Sequence, residues 1–420
     1  MLLAALFVAV APPLGCGALR AASSNSAIAT LHTLDTYVEP WGARALDGSP
    51  YEIWVALAPP TSPNKDRWVI DIQGGAWCQD VASCASRAYN PSNCYLGSSN
   101  SSCFNADGER CENKSGSMQF SCLPACNGAR WCGGLLVNAA SSNPLSHDWN
   151  QVLFPYHDGQ SFMGDREDPI VTTFNGQQVP LYFRGRRNFL AAVDYLLHAL
   201  GMSGAAEVGL TGNSAGGLAT YYHADVLASL LPPSTSVWAA PDSGFFVANL
   251  PGHPSWAEGL LAMVSMSNAS SALNPACAAS QRAAGVDPAR CAFPEVLAPF
   301  IKTPLFVMNS RYDPALDSIS GGEGGKNRTH VNEIGRLFVA DVEGALLGSS
   351  SRNAAFITAC AQHCGQWAQG SDGDFNVTMA DGMQAVPALM QWRAAGFTKA
   401  VWVQAPGDTY PCSTCCSGGQ

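Results

Sequence analysis

Read for polarity alone, the chain alternates short apolar runs with longer segments whose apolar residues recur at helical spacing. Residues 27–57 alternate weakly, with turn signals at Glu39-Pro40 and Asp47-Gly48-Ser49-Pro50. They predict a pair of antiparallel edge strands. Residues 67–73 form a firmer apolar run that empties into Gly74-Gly75-Ala76-Trp77-Cys78, and 149–156 predict another short strand leading into His157-Asp158-Gly159. Over 183–200, Phe189, Val193, Leu196, Leu197 and Leu200 share one helical face, and Gly201 is placed to end that helix. A strand over 207–212 then breaks at a turn holding Ser214 and resumes as an apolar helical segment from Leu218 to Leu231. Strands follow at 236–240, 303–309 and 353–359, with helices at 332–347 and 387–395, the last opened by Pro387 with Trp392 on its apolar face. Strands alternating with helices predict an α/β fold, a mostly parallel sheet flanked by helices on both faces.

Composition narrows the class. With 420 residues, 47% apolar and 13% charged, the chain has ample core and is not disordered. No internal repeat or interdomain linker is visible, so a single domain over 23–420 is expected. A net charge of -10 is repelled by nucleic acid and by anionic membranes, and neither is expected as a partner.

Sixteen cysteines change the picture more. Cys94, Cys103, Cys111, Cys122, Cys126 and Cys132 crowd into a Ser/Asn/Gly-rich stretch, read as a disulfide-stapled insertion over about 94–132 with little regular structure. Cys122-x-x-x-Cys126 has spacing usable for zinc, a weaker reading. Sequons at Asn100, Asn113, Asn268, Asn327 and Asn376 point the same way as disulfides, to an extracellular protein. Leu2 to Val10 is an unbroken apolar run of signal-peptide length, too short to span a bilayer, so residues 1–22 are expected to be a cleaved leader. No other run is long and apolar enough for a transmembrane segment, and a secreted monomer is expected.

The chemistry centres on Gly212-Asn213-Ser214-Ala215-Gly216. A Gly-x-Ser-x-Gly between a strand and a helix reads as a nucleophile elbow, its glycines sparing a tight turn from clashes. The competing reading is an ordinary glycine-rich turn. A serine needs a base, and the base needs an orienting acid. Asp313 directly follows an apolar strand and is favoured over Asp317. His363 follows another strand, between Cys360 and Cys364, and has a better address than His330 in its polar stretch. Ala215 offers one oxyanion N–H, and Gly74-Gly75-Ala76-Trp77 is the candidate source of a second.

Several of these motifs occur together with others: Trp77-Cys78 after Gly-Gly, Tyr182-Phe183-Arg184-Gly185, Asp242-x-Gly244-Phe245-Phe246, Tyr312-Asp313 and Cys360-x-x-His363-Cys364. Jointly the chain resembles the plant pectin acetylesterase and Notum carboxylesterase family over roughly residues 35 to 415, apart from the insertion. The resemblance implies an α/β-hydrolase fold and a secreted serine carboxylesterase without metal or other cofactor. In it Ser214 is nucleophile, Asp313 acid and His363 base, with the amides of Gly75, Ala76 and Ala215 forming the oxyanion hole. The plant pattern carries cysteines where His157 stands and near Ala239 or Ala240, and their joint absence suggests a missing disulfide. The expected substrate is an acetylated cell-wall polysaccharide such as pectin. Removal of a longer fatty acyl group from protein or lipid is the alternative, and a catalytically inactive binding relative stands as the reading from a different class.

Overall fold

The computed structural model describes residues 28–90, 117–119, 123–124, 130–131, 134–136, 140, 143–248, 250, 255–365, 382–404, 409–412 and 415. The expected leader and all six cysteines of the expected insertion lie outside these residues.

In chain order the strands are β1 (Ile28–Thr33), β2 (Glu52–Ala56), β3 (Arg67–Ile72), β4 (Ser117–Gln119), β5 (Leu123–Pro124), β6 (Arg130–Trp131), β7 (Asn150–Phe154), β8 (Ile170–Phe174), β9 (Gln177–Leu181), β10 (Glu207–Asn213), β11 (Ser236–Asp242), β12 (Phe306–Ser310), β13 (Ala354–Thr358) and β14 (Ala400–Val403). Helices separate many of them. They are α1 (Val38–Trp41), α2 (Val81–Tyr89), α3 (Gly185–Ala199), α4 (Ala215–Leu230), α5 (Ser255–Met266), α6 (Pro275–Ala283), α7 (Pro294–Leu297), α8 (Pro314–Ile319), α9 (Arg328–Val342) and α10 (Ala385–Ala394).

Ten strands make one sheet in the order β14-β13-β12-β11-β10-β3-β7-β2-β1-β4. Within this sheet every pairing along the run β7-β3-β10-β11-β12-β13-β14 is parallel, while β2, β1 and β4 add on antiparallel. Alternate side chains of the parallel strands enter two separate cores. Ile70, Leu210, Ala239 and Val307 join the larger one, and Val69, Trp238, Ala240 and Phe306 the smaller one on the opposite face. Strands buried on both faces must be apolar throughout, which is why they read as unbroken apolar runs.

The expected strands are present, with three differences. The β1/β2 pair is antiparallel as expected but does not form the sheet edge, because β4, from within the expected insertion, pairs with β1 outside it. The insertion thus carries regular structure in its described parts, including the β5–β6 pair. Helix α10 begins at Ala385, two residues before Pro387. A β8–β9 hairpin also appears, turning through Asn175 (φ 48°) and Gly176 (φ 79°). An Asn-Gly pair, which readily adopts positive φ, is the turn chemistry that such a two-residue hairpin needs.

The structure also corrects the missing-disulfide reading. His157 follows β7 and lies 3.6 Å from Glu52 on β2, whereas Ala239 and Ala240 lie on β11. Strands β3 and β10 intervene. Three strand spacings of about 4.8 Å separate the positions by about 14 Å, twice the reach of a disulfide.

Candidate active site

Parallel strands all end on the same side of the sheet, so whatever follows them gathers there. β3 delivers Gly74 to Trp77, β10 delivers Ser214, β12 delivers Asp313 and β13 delivers His363.

Ser214 stands alone between β10 and α4 at φ 54°, ψ -122°, a conformation that costs a residue with a side chain on the order of 1–3 kcal/mol. Its N–H donates to the Asp242 carbonyl at 2.9 Å, tying the turn to β11. The flanking glycines are required by close approach. A Cβ on Gly216 would stand 2.0 Å from the Ile72 carbonyl oxygen, and one on Gly212 2.5 Å from that of Gly216.

The Ser214 hydroxyl lies 2.8 Å from His363 Nε2, and both carboxylate oxygens of Asp313 lie 2.9 Å from His363 Nδ1. A carboxylate can only accept, so Nδ1 carries the ring proton and Nε2 presents its lone pair to the hydroxyl. Asp313 is itself fixed. It caps α8 by accepting from Ala315 N–H at 2.8 Å, and Asn309 Nδ2 donates to it at 3.3 Å. Burial disfavours the His363 imidazolium, but the charge and hydrogen bond of Asp313, with the field of Asp242, outweigh it and raise the pKa above 6.5. The loop carrying His363 is pinned by Ser243, whose hydroxyl accepts from Cys364 N–H at 2.8 Å and donates to Asp242 at 3.0 Å.

The two residues passed over in the sequence, Asp317 and His330, meet each other elsewhere. His330 Nε2 lies 2.8 Å from Ser320 Oγ and 3.9 Å from Asp317 Oδ1, so serine and carboxylate approach the same ring nitrogen. The Ser320 hydroxyl already donates to the Asp317 carbonyl at 2.8 Å, so it accepts from His330 and cannot pass it a proton. This cluster instead supports the 320–325 turn, where Asp317 Oδ2 accepts from Gly325 N–H at 2.9 Å.

The Gly75–Ala76 turn lies beside the elbow. Asn213 Oδ1 accepts from Gly74 N–H at 2.9 Å, joining the two segments across 139 residues. The Trp77 indole donates to Ser161 Oγ at 2.7 Å, Cys78 N–H donates to the Gly159 carbonyl at 3.1 Å, and Cys78 is bonded to Cys84. Trp77, Phe246 and Trp256 pack ring to ring, with Trp77 4.8 Å from each of the others and Phe246 6.2 Å from His363. Sequence reasoning missed Asn213 and Ser243, which carry no motif of their own; only their place directly beside Ser214 and Asp242 hints at them.

A ten-stranded, mostly parallel sheet with a serine on a strand-to-helix elbow and an aspartate and a histidine after later strands is an α/β-hydrolase arrangement. The chain belongs to the pectinacetylesterase family, whose model matches residues 22–108 and 101–417. The match divides inside the cysteine-rich stretch. It is 33% identical to Arabidopsis thaliana pectin acetylesterase 5 over 249 residues, which are 59% of this chain and 49% of that protein. The chain thus spans about half the length of that relative. It is 29% identical to Arabidopsis thaliana pectin acetylesterase 11 over 84% of each chain. The solved structure of the Wnt deacylase Notum from Drosophila superposes with a TM-score of 0.69 at 20% identity, covering 93% of this chain and 100% of the other, a likeness of fold.

Proposed function

We propose that the protein is a serine carboxylesterase that removes acetyl groups from a cell-wall polysaccharide such as pectin. The observation that carries this reading is the directed chain from Ser214 through His363 Nε2 and Nδ1 to both oxygens of Asp313. His363 takes the Ser214 proton as the oxygen attacks the acyl carbonyl. The tetrahedral oxyanion is received by the N–H groups of Gly75, Ala76 and Ala215, the last at the start of α4 where the helix dipole favours negative charge. His363 then protonates the departing sugar oxygen and leaves an acyl-enzyme. Water, deprotonated by the same ring, attacks that ester and releases the acid, while Asp313 stabilises each imidazolium.

Family membership and the relatives named pectin acetylesterase support acetyl as the acyl group. The ring cluster of Trp77, Phe246 and Trp256, whose Phe246 ring lies 6.2 Å from that of His363, is in keeping with a short acyl chain. An extracellular setting is supported by the Cys78–Cys84, Cys277–Cys291 and Cys412–Cys415 disulfides and by exposed sequon residues Asn268 and Asn327.

The test is acetate release from acetylated pectin, xylan and chitin fragments side by side, with p-nitrophenyl esters of increasing chain length. Acetate from pectin and a preference for the acetyl ester are expected. A preference for long-chain esters would replace this reading by fatty deacylation. Failure of a fluorophosphonate probe to label Ser214 would reduce the chain to a binding relative.

A further inference from the structure

The turn after β3 holds two consecutive residues at positive φ, Gly75 at 152° and Ala76 at 54°. Ala76 has a Cβ, so its left-handed backbone costs on the order of 1–2 kcal/mol and must be imposed from outside. The bonds to Asn213, Ser161, Gly159 and Cys84 grip the two ends of the turn. One group grips its middle. Arg87, on α2, is 7% exposed, and its Nη2 donates to the Gly75 carbonyl oxygen at 2.6 Å. Its guanidinium carbon lies 4.9 Å from the centroid of the Tyr156 ring, and the Asp158 carboxyl interacts with its charge. Gly159, at φ 68°, leaves room for it: a Cβ there would stand 2.8 Å from both Arg87 Cδ and Cys78 Sγ.

The Gly75 carbonyl and the Ala76 N–H are two ends of one trans peptide unit and point in opposite directions. A cation fixed on the carbonyl therefore sets the direction of the N–H. It also draws electron density toward the oxygen, which makes the N–H a stronger donor. We propose that Arg87 is a positioning residue for ester hydrolysis, aiming and polarising the Ala76 N–H toward the oxyanion through the shared Gly75–Ala76 peptide. This rests on the oxyanion role given to that peptide above. Arg87 touches neither substrate nor reacting atoms and exchanges no proton. Its effect belongs to the transition state, where charge develops on the acyl oxygen, and not to the ground-state ester.

The experiment compares Arg87→Lys, Arg87→Gln and Arg87→Ala in the full chain with its disulfides intact. It measures kcat and KM for p-nitrophenyl acetate, inhibition by phenylboronic acid (which forms a tetrahedral adduct on a nucleophilic serine), and melting temperature. In the Gln and Ala variants kcat should fall about 10- to 100-fold and boronate inhibition should weaken in parallel, with KM within about threefold. Arg87→Lys should fall between these and wild type, because an ammonium restores the charge without the planar fork. Added guanidinium ion should restore part of the kcat of Arg87→Ala. If Arg87→Ala fails to fold, Arg87→Lys decides. Wild-type kcat in a folded variant overturns the proposal, as does a fall in kcat that only tracks lost folded protein while boronate affinity holds. A wild-type enzyme labelled at Ser214 by fluorophosphonate yet indifferent to boronate would overturn the oxyanion reading itself, and the role of Arg87 with it.

Discussion

Among the described residues two clusters of serine, histidine and aspartate can be compared, and one of them has the hydrogen-bond order that the proposed relay needs. At the strand ends, Ser214 and Asp313 meet opposite nitrogens of His363. In the 317–330 region, Ser320 and Asp317 crowd the same nitrogen of His330, and the Ser320 proton is already given to a carbonyl. Proximity of three residue types is therefore weak information. What separates a relay from a brace is whether each hydrogen bond leaves the next atom the role it needs, donor or lone pair. The backbone differs as well. Ser214 is held at a strained positive φ between β10 and α4, whereas Ser320 ends the short helix α8 at an ordinary φ of -89°.

The sharpest way to break this comparison is to remove each serine. Ser214→Ala should lower kcat by at least about 10⁴-fold, while Ser320→Ala keeps its activity. Fluorophosphonate labelling followed by peptide mass mapping should find Ser214 alone modified. Next come the acids. Asp313→Asn should cost about 10³- to 10⁴-fold in kcat, because an amide at Nδ1 can enforce the wrong tautomer. Asp317→Asn should leave kcat intact and lower the melting temperature, since Asp317 holds the Gly325 amide.

The pH profile tests the charge around His363. Its pKa is raised above 6.5, so it becomes protonated, and useless as a base, at a higher pH than an ordinary histidine. Activity should therefore fall as pH drops through a limb lying above 6.5. Removing the Asp242 charge by Asp242→Asn takes away one raising influence and should move that limb to lower pH, read from kcat/KM against pH. The smallest effect is expected at the second cluster. His330→Ala loses its bond to Ser320, about 0.5–1.5 kcal/mol in denaturant unfolding, with an unchanged pH profile of activity.

Much of this was legible before the structure. The Gly-x-Ser-x-Gly elbow, the strands before Asp313 and His363 and the Gly-Gly turn after β3 are local patterns, and local patterns survive in sequence. The choice of His363 over His330 rested on a strand preceding it, and that strand is β13. What was not legible depends on contacts between distant segments. Asn213 reads as a spacer in the elbow, and Arg87 as one charge in a short helix. Their partners, Gly74 and Gly75, become visible only when β3 lies beside β10 and α2 folds back over the turn. The supposed disulfide partner of position 157 failed for the same reason, because sequence carries no count of the strands that intervene.

The bond from Gly74 to Asn213 has a consequence for how the protein acquires activity. It spans 139 residues, the Ser214–His363 contact spans 149, and even His363 to Asp313 spans 50. Helices such as α3 and α4 close their own short loops early, whereas the reactive cluster waits for the slow, long-range ordering of parallel strands. In a refolding time course the ellipticity at 222 nm should therefore recover well before ester hydrolysis does. Turnover should be the last property the chain regains, which would make it a readout of the completed sheet from β3 to β13.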